Sequence, residues 1–194
     1  MRADDTIWST EALLKLSDNP PMRPPGVQSV SELSGRWWVG HTRARFEKTF
    51  AWDMAGRGVG YFLPLVERVR FSGGRKRRVM LPLFTSYVFF CGGPDVRRAA
   101  MTTNRLARVI EVADQHRLLE ELASVERALG AKADLALHPH AAVGRRCRIA
   151  SGPLQGIEGV VVQQNGRARV VMNVSILGQG ASVEVEAGLI ESVN

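Results

Sequence analysis

The C-terminal part of the chain is organised around one stretch, Ser151-Gly152-Pro153-Leu154-Gln155-Gly156-Ile157-Glu158-Gly159-Val160-Val161. Gly152-Pro153 favours a turn, because proline fixes its own φ and glycine adopts backbone conformations that other residues avoid. Gly156 permits a positive φ within the loop, and Gly159 leads into a run of valines. The stretch therefore predicts two short strands joined by a tight loop.

More β-branched runs follow on the C-terminal side of this loop. Val160–Val162, Val170–Val171 and Val183–Val185 are separated by segments that contain Gly and Asn. Short strands at this spacing predict a small five-stranded β-barrel over residues 142–194. Valine is a poor helix former, so we expect the barrel to be the constant form of this region. The Ala-rich residues 131–141 before it are predicted to be a linker.

Strands and helices alternate on the N-terminal side of the linker. Phe46, Phe50 and Met54 recur every four residues and predict a helix with one buried stripe. Asp114 is placed to cap a second long helix. Strands are predicted over residues 36–42, 85–91 and 106–112, and a hairpin is predicted with arms 61–71 and 79–81 and a tip at 72–78. The pattern indicates an α+β domain over residues 35–130.

Residues 1–34 differ in composition from the rest of the chain. The proline-rich stretch Pro20–Gly26 favours neither helix nor sheet. Thr10–Leu16 could form one short helix. We expect residues 1–34 to be a flexible N-terminal extension.

Positive charge is concentrated in the predicted α+β domain. The chain carries a net charge of +7, and residues 35–130 hold seventeen Lys or Arg against nine Asp or Glu, a net +8. A basic domain of this kind favours a polyanionic neighbour, although a solvated basic face is the alternative. The cations Arg75, Lys76, Arg77 and Arg78 at the predicted hairpin tip either contact phosphates or guard a strand edge against aggregation.

Aromatic residues cluster on the predicted strand that follows the hairpin. Tyr87 and Phe89 are two residues apart, so they point to the same face of the sheet. If helices cover that face, the pair is part of the core. If the face is open, the pair forms an apolar patch of the kind that marks a protein interface. Periodicity alone favours the core.

Enzyme chemistry has little support in the sequence. His41, His116, His138 and His140 fit no nucleophile or zinc pattern, and two cysteines do not make a zinc site. We therefore predict no catalytic residues, no metal and no cofactor. The N-terminus is acidic where a signal peptide would be basic, and no apolar run is long enough to span a bilayer. We expect a cytoplasmic protein that does not interact with membranes.

Several segments, taken in order, resemble the NusG family of transcription elongation factors. Trp37–Thr42 resembles the family's opening strand, and Arg45–Lys48 resembles the start of its first helix. Leu81–Phe89 resembles the aromatic strand of the N-terminal NGN domain. Ser151–Val161 is similar to the KOW motif, and Ile176–Gly178 to a stretch that follows it.

The resemblance implies a function for each half of the chain. The NGN domain would bind the clamp helices of RNA polymerase, bridge the clamp and suppress pausing or termination, and the KOW domain would recruit ribosomal protein S10 or Rho. Carried over by position, the polymerase-binding residues would be Tyr87, Phe89, Phe84 and His41, with a gate-loop contact at Arg97 and Arg98. The KOW partner would contact Leu154 and Ile157.

The resemblance also implies a contact with nucleic acid. Upstream or non-template DNA would lie near Arg43, Arg45 and the cations of residues 75–78. The extension and the basic hairpin indicate a specialised paralogue tied to particular operons and not the general factor. We expect the protein to be a monomer. The alternative is a ribosome-associated KOW protein that binds RNA directly, which predicts salt-sensitive RNA affinity without polymerase.

Overall fold

A computed structural model of the chain describes residues 19–140, 142–164 and 167–193. The predicted Thr10–Leu16 helix lies outside the described residues. The described part has an α+β fold in which antiparallel sheets are combined with helices, as the sequence predicts. Its elements are β1 Arg36–Thr42, α1 Glu47–Gly56, β2 Gly60–Phe62, β3 Leu65–Ser72, β4 Arg75–Pro82, β5 Tyr87–Gly92, α2 Pro94–Thr102, β6 Leu106–Glu111, α3 Gln115–Gly130, β7 Ala136–His138, β8 Arg146–Ile149, β9 Glu158–Gln164, β10 Arg167–Val174, β11 Gln179–Glu184 and β12 Ile190–Ser192.

The first sheet is antiparallel with strand order β2-β5-β1-β6. Successive side chains of a strand point to opposite faces, so each face of this sheet carries its own core. On one face, Trp38 stacks on Phe90 at 5.5 Å between ring centroids, in the same buried cluster as residues of α1 and α2. On the other face, Val39 and Phe89 share a cluster with residues of α3.

The apolar stripes predicted for the helices are buried as expected. Phe50 and Met54 of α1 are fully buried. In α3, Leu118, Leu122 and Val125 are at most 2% exposed, and each buried side chain of this size contributes roughly 1.5–3 kcal/mol. The carboxylate of Asp114 accepts a hydrogen bond from the Arg117 amide at 3.0 Å, which confirms the predicted N-cap.

Residues 19–34 pack on the first domain, whereas the sequence predicted a flexible extension. Val30 is fully buried, and its amide donates to the Glu126 carboxylate of α3. The Leu63 amide donates to the Met22 carbonyl at 2.7 Å, and the Tyr61 hydroxyl donates to the Pro21 carbonyl at 3.0 Å. The backbone carbonyls of this proline-rich segment thus satisfy buried donors of the domain, and this requires a fixed path.

The basic hairpin differs from the prediction in both arms. Its first arm is shorter than the predicted 61–71, because residues 60–62 form β2 of the first sheet, and its second arm is longer. Strands β3 and β4 form a separate two-stranded sheet, and Gly73 and Gly74 make the turn with φ of 56° and 73°. Two glycines with positive φ match the tight turns that join antiparallel strands. Residues 75–78 therefore belong to strand β4 and not to a loop, so their side chains alternate between two faces of the hairpin.

The C-terminal sheet has six strands in the order β12-β8-β9-β10-β11-β7. Strand β7 comes from the segment predicted to be a linker, where Ala136, Leu137 and His138 pair with β11. It occupies the outer edge of β11 and adds a sixth strand to the predicted five, and the pairings among the described residues do not close the sheet. Gly159 is required for close packing, because a Cβ there would lie 2.5 Å from the Val171 carbonyl oxygen.

Candidate functional site

Two aromatic rings lie side by side at one end of the first sheet. His41 near the end of β1 pairs with Tyr87 at the start of β5, with ring centroids 5.1 Å apart. Both side chains are half-buried, and Arg108 of β6 is the exposed cross-strand neighbour of His41. Cross-strand partners share a face, so the three form a row of two rings and a guanidinium. We refer to His41, Tyr87 and Arg108 as the aromatic row.

Phe84 and Phe89 lie beneath this row and not within it. Both are fully buried, and their rings meet edge to face at 6.2 Å between centroids. Phe89 belongs to the same cluster as Leu118 and Leu122, because α3 packs on this face of the sheet. The interpretation of Phe84 and Phe89 as surface residues is therefore corrected. They support Tyr87, which packs against their cluster.

A buried carboxylate positions the turn that leads into Tyr87. Glu47 is 5% exposed, and its Oε1 accepts a hydrogen bond from the Ser86 amide at 2.7 Å. Ser86 has a φ of 66°, a left-handed conformation that costs a residue with a Cβ roughly 1–2 kcal/mol. The Thr42 amide donates to the Ser86 carbonyl at 2.8 Å. The turn is thus held from α1 and from β1, and this fixes where Tyr87 emerges.

The loop between β1 and α1 carries two free cations. Arg43 and Arg45 are exposed and have no acidic partner among the described residues. Arg105 beside them differs, since its guanidinium bonds to Asp53 at 3.1 Å and lies 5.3 Å from the Phe46 ring centroid. Arg105 therefore holds the loop in place, and Arg43 and Arg45 are available to a polyanion.

Helix α2 presents Arg97 and Arg98 to solvent. Both are exposed, and Arg98 makes a 3.5 Å ion pair with Asp95, which is also exposed. Pairs of this kind contribute little to stability. Ala100 of α2 is buried in the cluster that contains Trp38, so α2 packs on the face of the sheet opposite to α3. The two arginines thus belong to a different layer from the aromatic row.

The hairpin of β3 and β4 displays the remaining predicted cations. Arg75, Lys76, Arg77 and Arg78 are all exposed, and Arg78 lies 3.4 Å from Glu67. The hairpin is held halfway along its length by Arg68, which bonds to the Asp134 carboxylate at 3.1 Å and to the Leu135 carbonyl. The cations are therefore carried on an anchored strand pair.

The family of the chain follows from its N-terminal half. Residues 35–131, from the start of β1 to just after α3, match the family model described as transcription termination factor NusG. The chain belongs to the NusG family. It is thus a transcription elongation or termination factor in the general sense, in a family of non-enzymatic proteins that interact with RNA polymerase. A search of curated proteins gave no match to the chain.

The C-terminal sheet of this NusG family member places the two predicted KOW contacts differently. Leu154 is half-buried on the loop, whereas Ile157 is 2% exposed and lies in the core. Ile157 returns from the loop to the sheet, and its carbonyl accepts from the Ile149 amide at 2.9 Å. The interpretation of Ile157 as a surface contact is corrected, because its side chain supports the loop from below.

Helix α3 also contacts the C-terminal sheet directly. The Glu121 carboxylate accepts from the Ser175 amide at 2.9 Å and from its hydroxyl at 2.5 Å. Arg117 donates to the same hydroxyl at 2.7 Å and pairs with Glu121 at 3.2 Å. This contact could not be predicted from the sequence, because a polar residue on a helix face and a serine after a strand are common surface features.

We also searched the described residues for metal-ligand clusters, reactive cysteines and membrane-spanning helices. They contain no group of three or more His, Cys, Asp or Glu side chains placed to hold a metal ion. Cys91 and Cys147 are free and buried, and burial raises the pKa of the Cys91 thiol to about 12. Within the described part of the chain, no helix is both long enough and apolar enough to cross a bilayer.

Proposed function

We propose that this NusG family member is an elongation and antitermination factor that holds the RNA polymerase clamp through its N-terminal domain. The aromatic row would contact the clamp helices, and bridging the clamp would suppress pausing or termination. The protein would act by binding as a monomer in the cytoplasm, without a chemical step and without a cofactor. A role restricted to particular operons would distinguish it from a general factor.

One observation carries this proposal, namely the position of His41 beside Tyr87. Half-buried aromatic side chains on a rigid support are typical of the residues that dominate binding energy at protein interfaces. Tyr87 is fixed by Glu47 through Ser86 and is supported by the buried cluster beneath it. The ring is therefore preorganised, and binding a partner costs little further side-chain entropy.

We further propose that the exposed cations of the N-terminal domain contact DNA. Arg43 and Arg45 and the hairpin cations would lie along upstream or non-template DNA, because exposed cationic side chains bind phosphates without regard to sequence. Arg97 and Arg98 would contact the polymerase gate loop from helix α2. Both arginines are exposed on that helix and are available for such a contact.

The C-terminal sheet would recruit the second partner, ribosomal protein S10 or Rho. Leu154 offers a half-buried apolar side chain on the loop between β8 and β9. Ile157 would act through this loop by holding its base in the core. An apolar loop residue on a rigid sheet is a suitable contact for a folded partner.

The experiment is a binding titration of core RNA polymerase with the wild-type protein and with Tyr87→Ala and His41→Ala. Loss of an interface hot spot costs about 2 kcal/mol or more, so we expect affinity to fall roughly 30-fold for Tyr87→Ala. Val143→Ala and His116→Ala are matched controls, since Val143 is 94% exposed and the His116 side chain is 84% exposed. Affinity equal to that of the controls would contradict the proposal.

A further inference from the structure

The two faces of the β3–β4 hairpin differ in chemistry. The register pairs Val69 with Arg78 and Phe71 with Lys76, so these four residues share one face. Arg70 pairs with Arg77, and both lie on the opposite face together with Arg75. One face therefore combines an aromatic ring with cations, and the other face carries Arg70, Arg75 and Arg77 near the turn.

Phe71 is the unusual feature of this hairpin. Its side chain is 77% exposed, although it stands across from Lys76, whose alkyl stem could have covered the ring. Charged residues that protect a strand pair against aggregation explain the cations. They do not explain an exposed phenylalanine, because an apolar ring near the end of a strand pair promotes the association that such charges prevent.

The charge around Phe71 indicates what covers the ring. Arg70, Arg75, Lys76 and Arg77 have no acidic partner among the described residues, and Glu67 is already paired with Arg78. Glu67 is the sole acidic residue between residues 65 and 82. A partner must therefore supply several negative charges together with a flat surface for the ring. Nucleic acid with unpaired bases meets both conditions, since every base has a π-face flanked by phosphates.

We propose that the hairpin binds single-stranded DNA, with the Phe71 ring stacked on an unpaired base. Lys76 on the same face contacts the phosphate beside that base. The arginines of the opposite face add sequence-independent attraction to the backbone. The inference rests on the proposed function for the source of the strand, because a transcribing polymerase exposes unpaired non-template DNA. Arg68, halfway along β3, anchors the hairpin to Asp134, and Phe71 and Lys76 lie beyond this anchor, next to the turn.

The test measures binding of the full chain to a labelled oligothymidylate at low ionic strength, without polymerase. Phe71→Leu keeps the apolar volume but removes the π-face, and we expect affinity to fall roughly 5- to 100-fold. Phe71→Trp restores a π-face and is expected to bind as the wild type does. Val69→Ala controls for general apolar surface, and Arg57→Gln controls for the loss of an exposed cation outside the hairpin.

Salt dependence tests the role of the arginines separately. In Arg75→Gln/Arg77→Gln, the slope of log affinity against log salt should decrease by about 0.7 for each lost phosphate contact. Wild-type affinity in Phe71→Leu overturns the stacking assignment. The DNA assignment is overturned by tighter binding of duplex DNA or of oligouridylate, or by absence of binding at low ionic strength. These outcomes leave the polymerase titration unaffected, so the two proposals can fail independently.

Discussion

Glu121 of helix α3 and Ser175, in the turn between β10 and β11, join the two halves of the protein. The carboxylate accepts from both the amide and the hydroxyl of Ser175, at 2.9 Å and 2.5 Å. The Glu121 side chain is 14% exposed, so water competes weakly for these bonds. The pair links a domain that matches the NusG family model to a sheet that lies outside the match.

This contact should appear as energetic coupling between the two residues. In a double-mutant cycle of Glu121→Ala and Ser175→Ala, we expect a coupling free energy of about 1 kcal/mol in urea unfolding. Glu120→Ala is the matched control, because the Glu120 side chain is 68% exposed and contacts His116 instead. A coupling for Glu121 no larger than that for Glu120 would show that the contact does not persist in solution.

The buried carboxylate of Glu47 should support both stability and polymerase binding. Glu47→Ala leaves the Ser86 amide without its acceptor, and we expect the free energy of unfolding to fall by roughly 1–3 kcal/mol. Glu47→Gln retains an acceptor oxygen and should lose less. Glu111→Ala, which removes an exposed carboxylate on β6, is the control. Chemical denaturation measures the effect on stability. A titration of core RNA polymerase with the folded variant measures the effect on binding. Equal stability of Glu47→Ala and Glu111→Ala would exclude the anchoring role.

The close packing at Gly159 can be tested with a single methyl group. A Cβ at this position would lie 2.5 Å from the Val171 carbonyl oxygen and 2.8 Å from the Val170 side chain, so Gly159→Ala should destabilise the protein by about 1–3 kcal/mol. Gly188→Ala meets no atom within 4 Å and should be nearly neutral. Thermal unfolding compares the two variants, and equal melting temperatures would argue against the close approach of β9 to β10.

Stability should also depend on pH through Glu158. A hydrogen bond from Arg148, aided by the charges of Arg148 and Arg146, holds the pKa of Glu158 below its ordinary value of 4.5. A carboxyl group with a depressed pKa in the folded state stabilises the protein above its unfolded pKa and loses this contribution as pH falls through the folded pKa. The difference in melting temperature between wild type and Glu158→Gln should therefore be constant above about pH 5 and shrink below about pH 4. A difference in melting temperature that increased as the pH fell would contradict a depressed pKa for Glu158.

Local patterns predicted the regular elements well. The strand Arg36–Thr42 has the predicted bounds, and the stripes of α1 and α3 are buried, because apolar periodicity directly reports the face that is covered. Periodicity also predicted the burial of Phe89 correctly, whereas positional resemblance placed it on the surface. The sequence of one strand does not show that α3 packs on that face of the sheet.

The remaining differences between the predicted and the observed structure arise from contacts between segments that are distant in the sequence. Strand β7 has three residues and no pattern of its own, and only its pairing with β11 makes it a strand. Glu47 resembles any acidic residue in the first turn of a helix until Ser86 is brought to it. The turn at Gly73-Gly74 was recognisable from the sequence, because a two-residue glycine turn is typical of a hairpin. Four adjacent cations suggested a loop instead.

The central claim is that the aromatic row contacts the polymerase clamp, and site-specific photocrosslinking tests it most directly. A photoreactive phenylalanine replaces Tyr87 in one variant and Val143, which is 94% exposed, in another. After irradiation with core RNA polymerase, we predict a crosslink from position 87 to the clamp helices and none from position 143. Crosslinks to the clamp helices from position 143 alone, or none from position 87 in a variant that still binds polymerase, would contradict the account.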